Sequence, residues 1–247
     1  MGTLNGKVAL ITGGARRIGA QIVRELHAKG LNIVLHYNSS ETEAKSLVSE
    51  LESSRKDSII GLSQDLTDTG SISGLVSSAM QKWNQLDVLV NNASAFYPTP
   101  LPDITKQDWD DLMGVNLLAP LFLIKESARY LAHSKGCVIN IVDIHAHKGL
   151  QDFSIYSIAK AGLAMLTKTM ARELAPMIRV NGVSPGAIIW PEIEAHKNEH
   201  QAIIDQTALK RQGEPQDVAN TVLFLIRNAD YITGQIISVD GGRSVSF

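Results

Sequence analysis

The sequence predicts an α/β fold, a single domain over residues 1–247 built on a doubly wound parallel sheet of about seven strands. Three observations carry this. Short apolar runs of strand length recur along the chain, several of them apolar at nearly every position, as in strands buried on both faces. Longer segments of helical periodicity lie between them, which is the βα repetition of a parallel sheet. No linker, repeat or low-complexity tract interrupts the pattern.

In chain order the strands are expected at Val8–Thr12, Asn32–Tyr37, Ser58–Gln64, Val88–Asn91, Cys137–Val142, Ile178–Val183 and Gln235–Val239. Helical stretches include Ile18–Lys29, Glu41–Ser53, Ile72–Trp83 and Tyr156–Leu174. Residues 191–212 are polar and charged without strand pattern, and are expected to form a lid over a site.

Composition excludes several classes of function. Apolar residues make up 44% and charged residues 19%, ordinary globular usage that argues against disorder. A formal net charge of -2, with no basic block, gives nothing to follow a phosphate backbone, so no nucleic-acid partner is expected. No apolar run is long enough to suggest a membrane span, and the N-terminus lacks signal-peptide architecture. The single cysteine, Cys137, precludes an intramolecular disulfide and fits a reducing, cytoplasmic setting.

The first chemical signal is Thr12-Gly13-Gly14-Ala15-Arg16-Arg17-Ile18-Gly19, at the junction of the first strand and first helix. Glycines there let the backbone turn sharply, approach a pyrophosphate and expose helix N-terminal amides to it. This position makes the fold Rossmann-like and the turn a nucleotide site. An acid about 20 residues on, at the end of the second strand, would bind the ribose 2′-hydroxyl of NAD. His36-Tyr37-Asn38-Ser39-Ser40 stands there instead. With Arg16 and Arg17 nearby, the set favours a 2′-phosphate, hence NADPH. The competing reading leaves both arginines merely solvated.

The second signal is Tyr156 and Lys160, four apart and so on one helix face. An ammonium beside a phenol is expected to lower the phenol pKa toward neutrality, making it a proton-exchange group for a C=O or C=N bond. Asn91-Asn92-Ala93 follows the fourth strand, Asn116 falls in a helix, and Pro185-Gly186 follows the sixth strand. From Lys7 to Gly242 this combination resembles the short-chain dehydrogenase/reductase family. The resemblance implies a proton relay of Asn116, Tyr156 and Lys160, with Lys160 also bonding the nicotinamide ribose. It implies support of the cofactor region by Asn92 and Ala93, an adenine contact at Asp65 with Leu66 beside it, and cofactor contacts from Gly13 through Ile18 and Gly19 and at Pro185 and Gly186. Relatives are commonly tetramers pairing late helices and the C-terminal strand, so a homotetramer through Thr221–Ile226 and Gln235–Val239 is expected.

Three departures narrow the substrate. Arg17 replaces the second glycine of the family's usual turn, Asp143 replaces the usual catalytic Ser, and Ser94-Ala95-Phe96 puts an aromatic at the mouth of the site. All three are similar to the pteridine reductases, which implies that Phe96 stacks on a pterin, that Arg17 and Ser94 hydrogen-bond pterin and cofactor phosphate, and that Asp143 and Tyr156 form the acid pair. A flat heteroaromatic wants a π face, and its donor–acceptor edge wants polar partners. The competing readings make Phe96 core and Asp143 a strand-end cap. His145 and His147 are read as loop histidines, with no metal-ligand companion. The leading expectation is NADPH-dependent reduction of a dihydropterin, an oxidised pterin or dihydrofolate. The alternatives are a carbonyl or 3-oxoacyl-carrier-protein reductase and a non-catalytic NADPH-binding protein.

Overall fold

The computed structural model describes residues 3–188 and 197–245. In chain order its elements are β1 (Val8–Ile11), α1 (Arg17–Ala28), β2 (Asn32–Tyr37), α2 (Glu41–Ser54), β3 (Ile59–Ser63), α3 (Ile72–Trp83), β4 (Val88–Asn91), α4 (Lys106–Met113), α5 (Ala119–Ser134), β5 (Cys137–Ile141), α6 (Ser154–Glu173), β6 (Arg179–Pro185), α7 (Lys197–Asp205), α8 (Pro215–Arg227) and β7 (Ile236–Val239). The seven strands form one sheet in the order β3-β2-β1-β4-β5-β6-β7, every pairing parallel. The seven strands foreseen from the sequence are these seven, with ends moved by one or two residues.

The alternation of side chains across the sheet explains why the strands read as continuous apolar runs. In β1, Ala9 and Ile11 face a core shared with Ile33 and Leu35 of β2 and with α1, α2 and α8. Val8 and Leu10 face the opposite core, with Leu89, Val138 and residues of α3 and α5. All four β1 side chains have no exposure, and each fully buried aliphatic chain contributes about 1.5–3 kcal/mol. Both faces are therefore closed by helices, and the ligand space is left at the carboxyl edge.

Strand order reverses at β1, whose neighbours are β2 and β4. The segments that follow β1, β2, β3 and β4 consequently open onto a common crevice. Of the expected lid, residues 191–196 lie outside the described residues, and 197–212 contain α7 and the turn leading to α8. Among the described residues no helix is long and apolar enough to cross a membrane.

Candidate active site

The crevice is a cleft of about 660 Å³. Gly13 of the first turn, His36 near the end of β2, Asn38 and Ser39 after it, Asp65 and Leu66 after β3, and Ala93 and Ser94 after β4 all line it, facing Gln107, Asp110 and Asp111 of α4. Its glycine floor is there for want of space. A Cβ on Gly13, whose φ is +60°, would lie 2.9 Å from the Ala93 Cα, and one on Gly19 would lie 2.1 Å from the Gly13 carbonyl oxygen. Asn92 Nδ2 donates to the Thr12 and Gly13 carbonyls at 2.9 and 3.0 Å. The Thr12 hydroxyl accepts from the Asn92 and Ala93 amides, both at 3.0 Å. These bonds lock the turn to the end of β4.

The first turn of α1 has no side-chain cap and no acidic residue. Its amides are thus left for an outside anion, the arrangement that suits a bound phosphate. Ile18 packs its side chain against the core, so its contribution to a ligand is its backbone. Arg17 sits at φ +51°, in the left-handed region that glycine usually fills. Its side chain is exposed and makes no hydrogen bond or ion pair among the described residues. Arg16 is exposed and lies 3.4 Å from Glu43 of α2, a surface pair weak enough for a phosphate to compete with it. Asn38 and Ser39 are exposed beside the cleft, and Tyr37 is half-buried against the core. Asp65 accepts from the Thr67 amide and hydroxyl at 2.9 and 2.8 Å, fixing the loop after β3. Pro185 ends β6, and Gly186 packs so closely on Asp240 that a Cβ would come within 2.6 Å of its side chain.

His36 lines the cleft but is only 1% exposed, its ring held by hydrogen bonds to the Gly13 amide and the Gln64 carbonyl. Sequence position alone grouped it with its exposed neighbours.

The reactive groups meet at the ends of β4 and β5. The Tyr156 hydroxyl donates to Asp143 Oδ2 at 2.8 Å, and Asp143 Oδ1 accepts from the His145 amide at 2.8 Å. Asp143 thus caps the turn after β5 and holds the phenol at once. Lys160 is buried, with Nζ donating to the Ile141 carbonyl at 3.0 Å and lying 5.7 Å from the Tyr156 ring centre. Asn116 lies in a π-helical turn, Gly114–Leu118, between α4 and α5. Its Nδ2 donates to the Ala95 and Leu112 carbonyls, both at 2.9 Å, and its Oδ1 accepts from the Ser94 hydroxyl at 2.7 Å.

The electrostatics correct one expectation. Burial, the Asp143 charge and the hydrogen bond to Asp143 push the Tyr156 phenol well above its ordinary value, with Ser94 acting in the opposite sense. The phenol is therefore not brought down toward neutrality: its burial and the Asp143 carboxylate, 2.8 Å from its oxygen, decide the direction. Burial lowers Lys160 itself to about 8, with Asp143 acting against the fall. Tyr156 is therefore a protonated acid at neutral pH, with the carboxylate holding its proton.

Phe96 is 48% exposed, so it is not core. It stacks on Phe153 with ring centres 4.5 Å apart and 16° between planes, and meets Tyr156 edge-on at 4.8 Å. The Thr99 amide donates to the Asp152 carbonyl at 2.5 Å, tying the two aromatic loops together. Sequence reasoning missed Phe153. Its place one turn before Tyr156 was the available signal. Among the described residues no group of three or more His, Cys, Asp or Glu side chains could hold a metal ion, His145 and His147 included.

A parallel sheet with this glycine turn and this Asn–Tyr–Lys constellation defines an oxidoreductase of the short-chain dehydrogenase/reductase type. The comparisons agree. A family model described as enoyl-(acyl carrier protein) reductase matches residues 13–244, and the chain belongs to the short-chain dehydrogenase/reductase family, whose members use NAD(P)H. It is 35% identical to pteridine reductase 1 of Leishmania tarentolae, over 97% of this chain and 96% of that protein. It is also 35% identical to a 3-oxoacyl-(acyl-carrier-protein) reductase of Staphylococcus aureus, over 96% and 97% of the two chains. An uncharacterized oxidoreductase of Methylorubrum extorquens is 32% identical over 98% of this chain and 99% of its own length.

Proposed function

We propose that the protein is an NADPH-dependent pteridine reductase that converts a dihydropterin, and by the same chemistry an oxidised pterin or dihydrofolate, to the tetrahydro form. One observation carries the reading: the phenol of Tyr156 is bonded to a carboxylate, Asp143, beside the exposed face of Phe96. A carbonyl substrate wants neutral donors around its developing oxyanion. A pterin offers a 2-amino group and ring N–H groups, which donate to a carboxylate.

The residues present fit the cofactor. Side-chain-free backbone at Gly13 and Gly19 and the uncapped first turn of α1 suit the pyrophosphate. Asn38, Ser39, Arg16 and Arg17, with no carboxylate at the end of β2, suit a 2′-phosphate. NADPH supplies the hydride that a ring carbon receives. Tyr156 gives its proton to the adjacent ring nitrogen, so each C=N bond reduced takes one hydride and one proton, in one round for a dihydropterin or dihydrofolate and two for an oxidised pterin. Lys160, charged below about pH 8, stabilises the phenolate left behind. Asn116 holds Ser94 against the same phenol. Phe96 and Phe153 offer the ring a π face.

A homotetramer fits the partly exposed apolar edge of β7 and the exposed Phe224 and Tyr231. The buried free thiol of Cys137 fits the cytoplasm. The identity to the staphylococcal enzyme supports a second reading, reduction of a 3-oxoacyl thioester. NADPH oxidation measured side by side with dihydrobiopterin, dihydrofolate and a β-ketoacyl thioester separates the two. Turnover of the pterin is expected. Rapid turnover of the thioester with none of either pteridine would overturn the proposal.

A further inference from the structure

Two hydrogen bonds fix the chemical state of His36. Its Nε2 lies 2.9 Å from the backbone carbonyl of Gln64, at the end of β3. A carbonyl can only accept, so Nε2 carries the proton. Its Nδ1 lies 3.3 Å from the Gly13 amide, which donates to it. An amide N–H can only donate, so Nδ1 carries the lone pair. The two partners therefore select one neutral tautomer. The His36 carbonyl also accepts from the Gly14 amide at 2.9 Å. One residue thus holds two successive amides of the glycine turn, one by side chain and one by backbone.

From this geometry we infer that His36 is a positioning residue for the dinucleotide: its neutral imidazole sets the Gly13 peptide, and protonation of that ring releases the turn and weakens cofactor binding. A proton on Nδ1 replaces an acceptor by a donor facing the Gly13 N–H. Both groups then lose their partner, at a ring that is 1% exposed. The peptide must rotate, and it has little room, because Gly13 already lies against Ala93 and Asn92. The inference rests on the reading of this turn as the cofactor's phosphate site.

The surroundings agree. Burial holds the His36 pKa below the ordinary 6.5, while the Gln64 carbonyl and the Asp65 charge act the other way. From the first turn, the charged groups are Arg16, which turns out to Glu43, and Arg17, which is exposed. Both leave Asp65 as the charge that acts on the ring.

The test is the dissociation constant of NADH and NADPH between pH 7.5 and 5, by protein fluorescence, for the wild type, His36→Asn and His36→Leu. NADH is included because the 2′-phosphate titrates within this window itself. Asn keeps an acceptor for the Gly13 amide but cannot be protonated. In the wild type NADH binding is expected to weaken roughly threefold or more toward pH 5. In His36→Asn that added dependence disappears, and its affinity at pH 7.5 exceeds that of His36→Leu. Ring nitrogen-15 shifts of the ligand-free wild type should show Nε2 protonated and Nδ1 bare at pH 7.5. Parallel pH profiles for wild type and His36→Asn, or an Nδ1–H tautomer, would overturn the inference even if His36→Leu does not fold. If neither dinucleotide binds at pH 7.5, the cofactor reading fails and this inference with it.

Discussion

Lys160 is 2% exposed, with Nζ on the Ile141 carbonyl. The fall of its pKa from 10.5 to about 8 corresponds to about 3 kcal/mol of cost for holding that charge at neutral pH. The sign follows from proton counting. Between about pH 8 and 10.5 the unfolded chain binds the proton that the folded one has lost, so this cost is relieved as pH rises. Lys160→Met should therefore melt within a few degrees of the wild type at pH 7, despite the orphaned carbonyl, while kcat drops about a hundredfold or more. The variant's relative stability should decline as pH climbs from 8 to 10. Melts by circular dichroism across that range check it, and a variant that simply unfolds at pH 7 contradicts it.

Helix α1 begins at a residue forced into left-handed geometry, Arg17 at φ +51°. A non-glycine residue there costs about 1–2 kcal/mol. Arg17→Gly is thus expected to leave the melting temperature unchanged or slightly raised while weakening NADPH binding. Two residues on, the same element behaves oppositely. Gly19→Ala puts a methyl 2.1 Å from the Gly13 carbonyl oxygen and 2.6 Å from Asn92 Nδ2. Lower melting temperature and lost dinucleotide binding should accompany it, and normal binding in this variant would show that the turn relaxes freely. The loop that enters α6 makes a similar case. Phe153 backs Phe96 at 4.5 Å, so Phe153→Ala should raise the dihydropterin KM by about 2- to 12-fold, the equivalent of 0.5–1.5 kcal/mol of stacking. An unchanged KM would place the ring elsewhere.

At the scale of the molecule, helices cover both faces of the sheet, and the crevice lies at the carboxyl ends of β1, β2, β3 and β4. A ligand there bridges segments far apart in the chain and stabilises the folded state by mass action, about 2.7 kcal/mol at a hundred times its dissociation constant. NADPH should therefore raise the melting temperature more than NADH at equal concentration. Equal shifts would remove the argument from Asn38, Ser39 and the arginines.

The sequence by itself determined the sheet, because strand length, two-sided burial and βα alternation are short-range patterns written into consecutive residues such as Val8–Ile11. It also placed Gly13, Asp143, Tyr156 and Lys160 at strand ends or on one helix face, since spacing fixes those positions. Tertiary structure alone decided their chemical states. Tyr156 remains protonated because the fold buries it and a carboxylate from the end of β5 reaches its hydroxyl. His36 is neutral in one tautomer because a turn and a third strand supply its two partners. The π-helical turn that aims Asn116 at Ser94, and the meeting of Phe96 with Phe153, likewise join segments distant in sequence. Ionisation and contact across such distances depend on the field and packing of the folded molecule, which no local periodicity encodes.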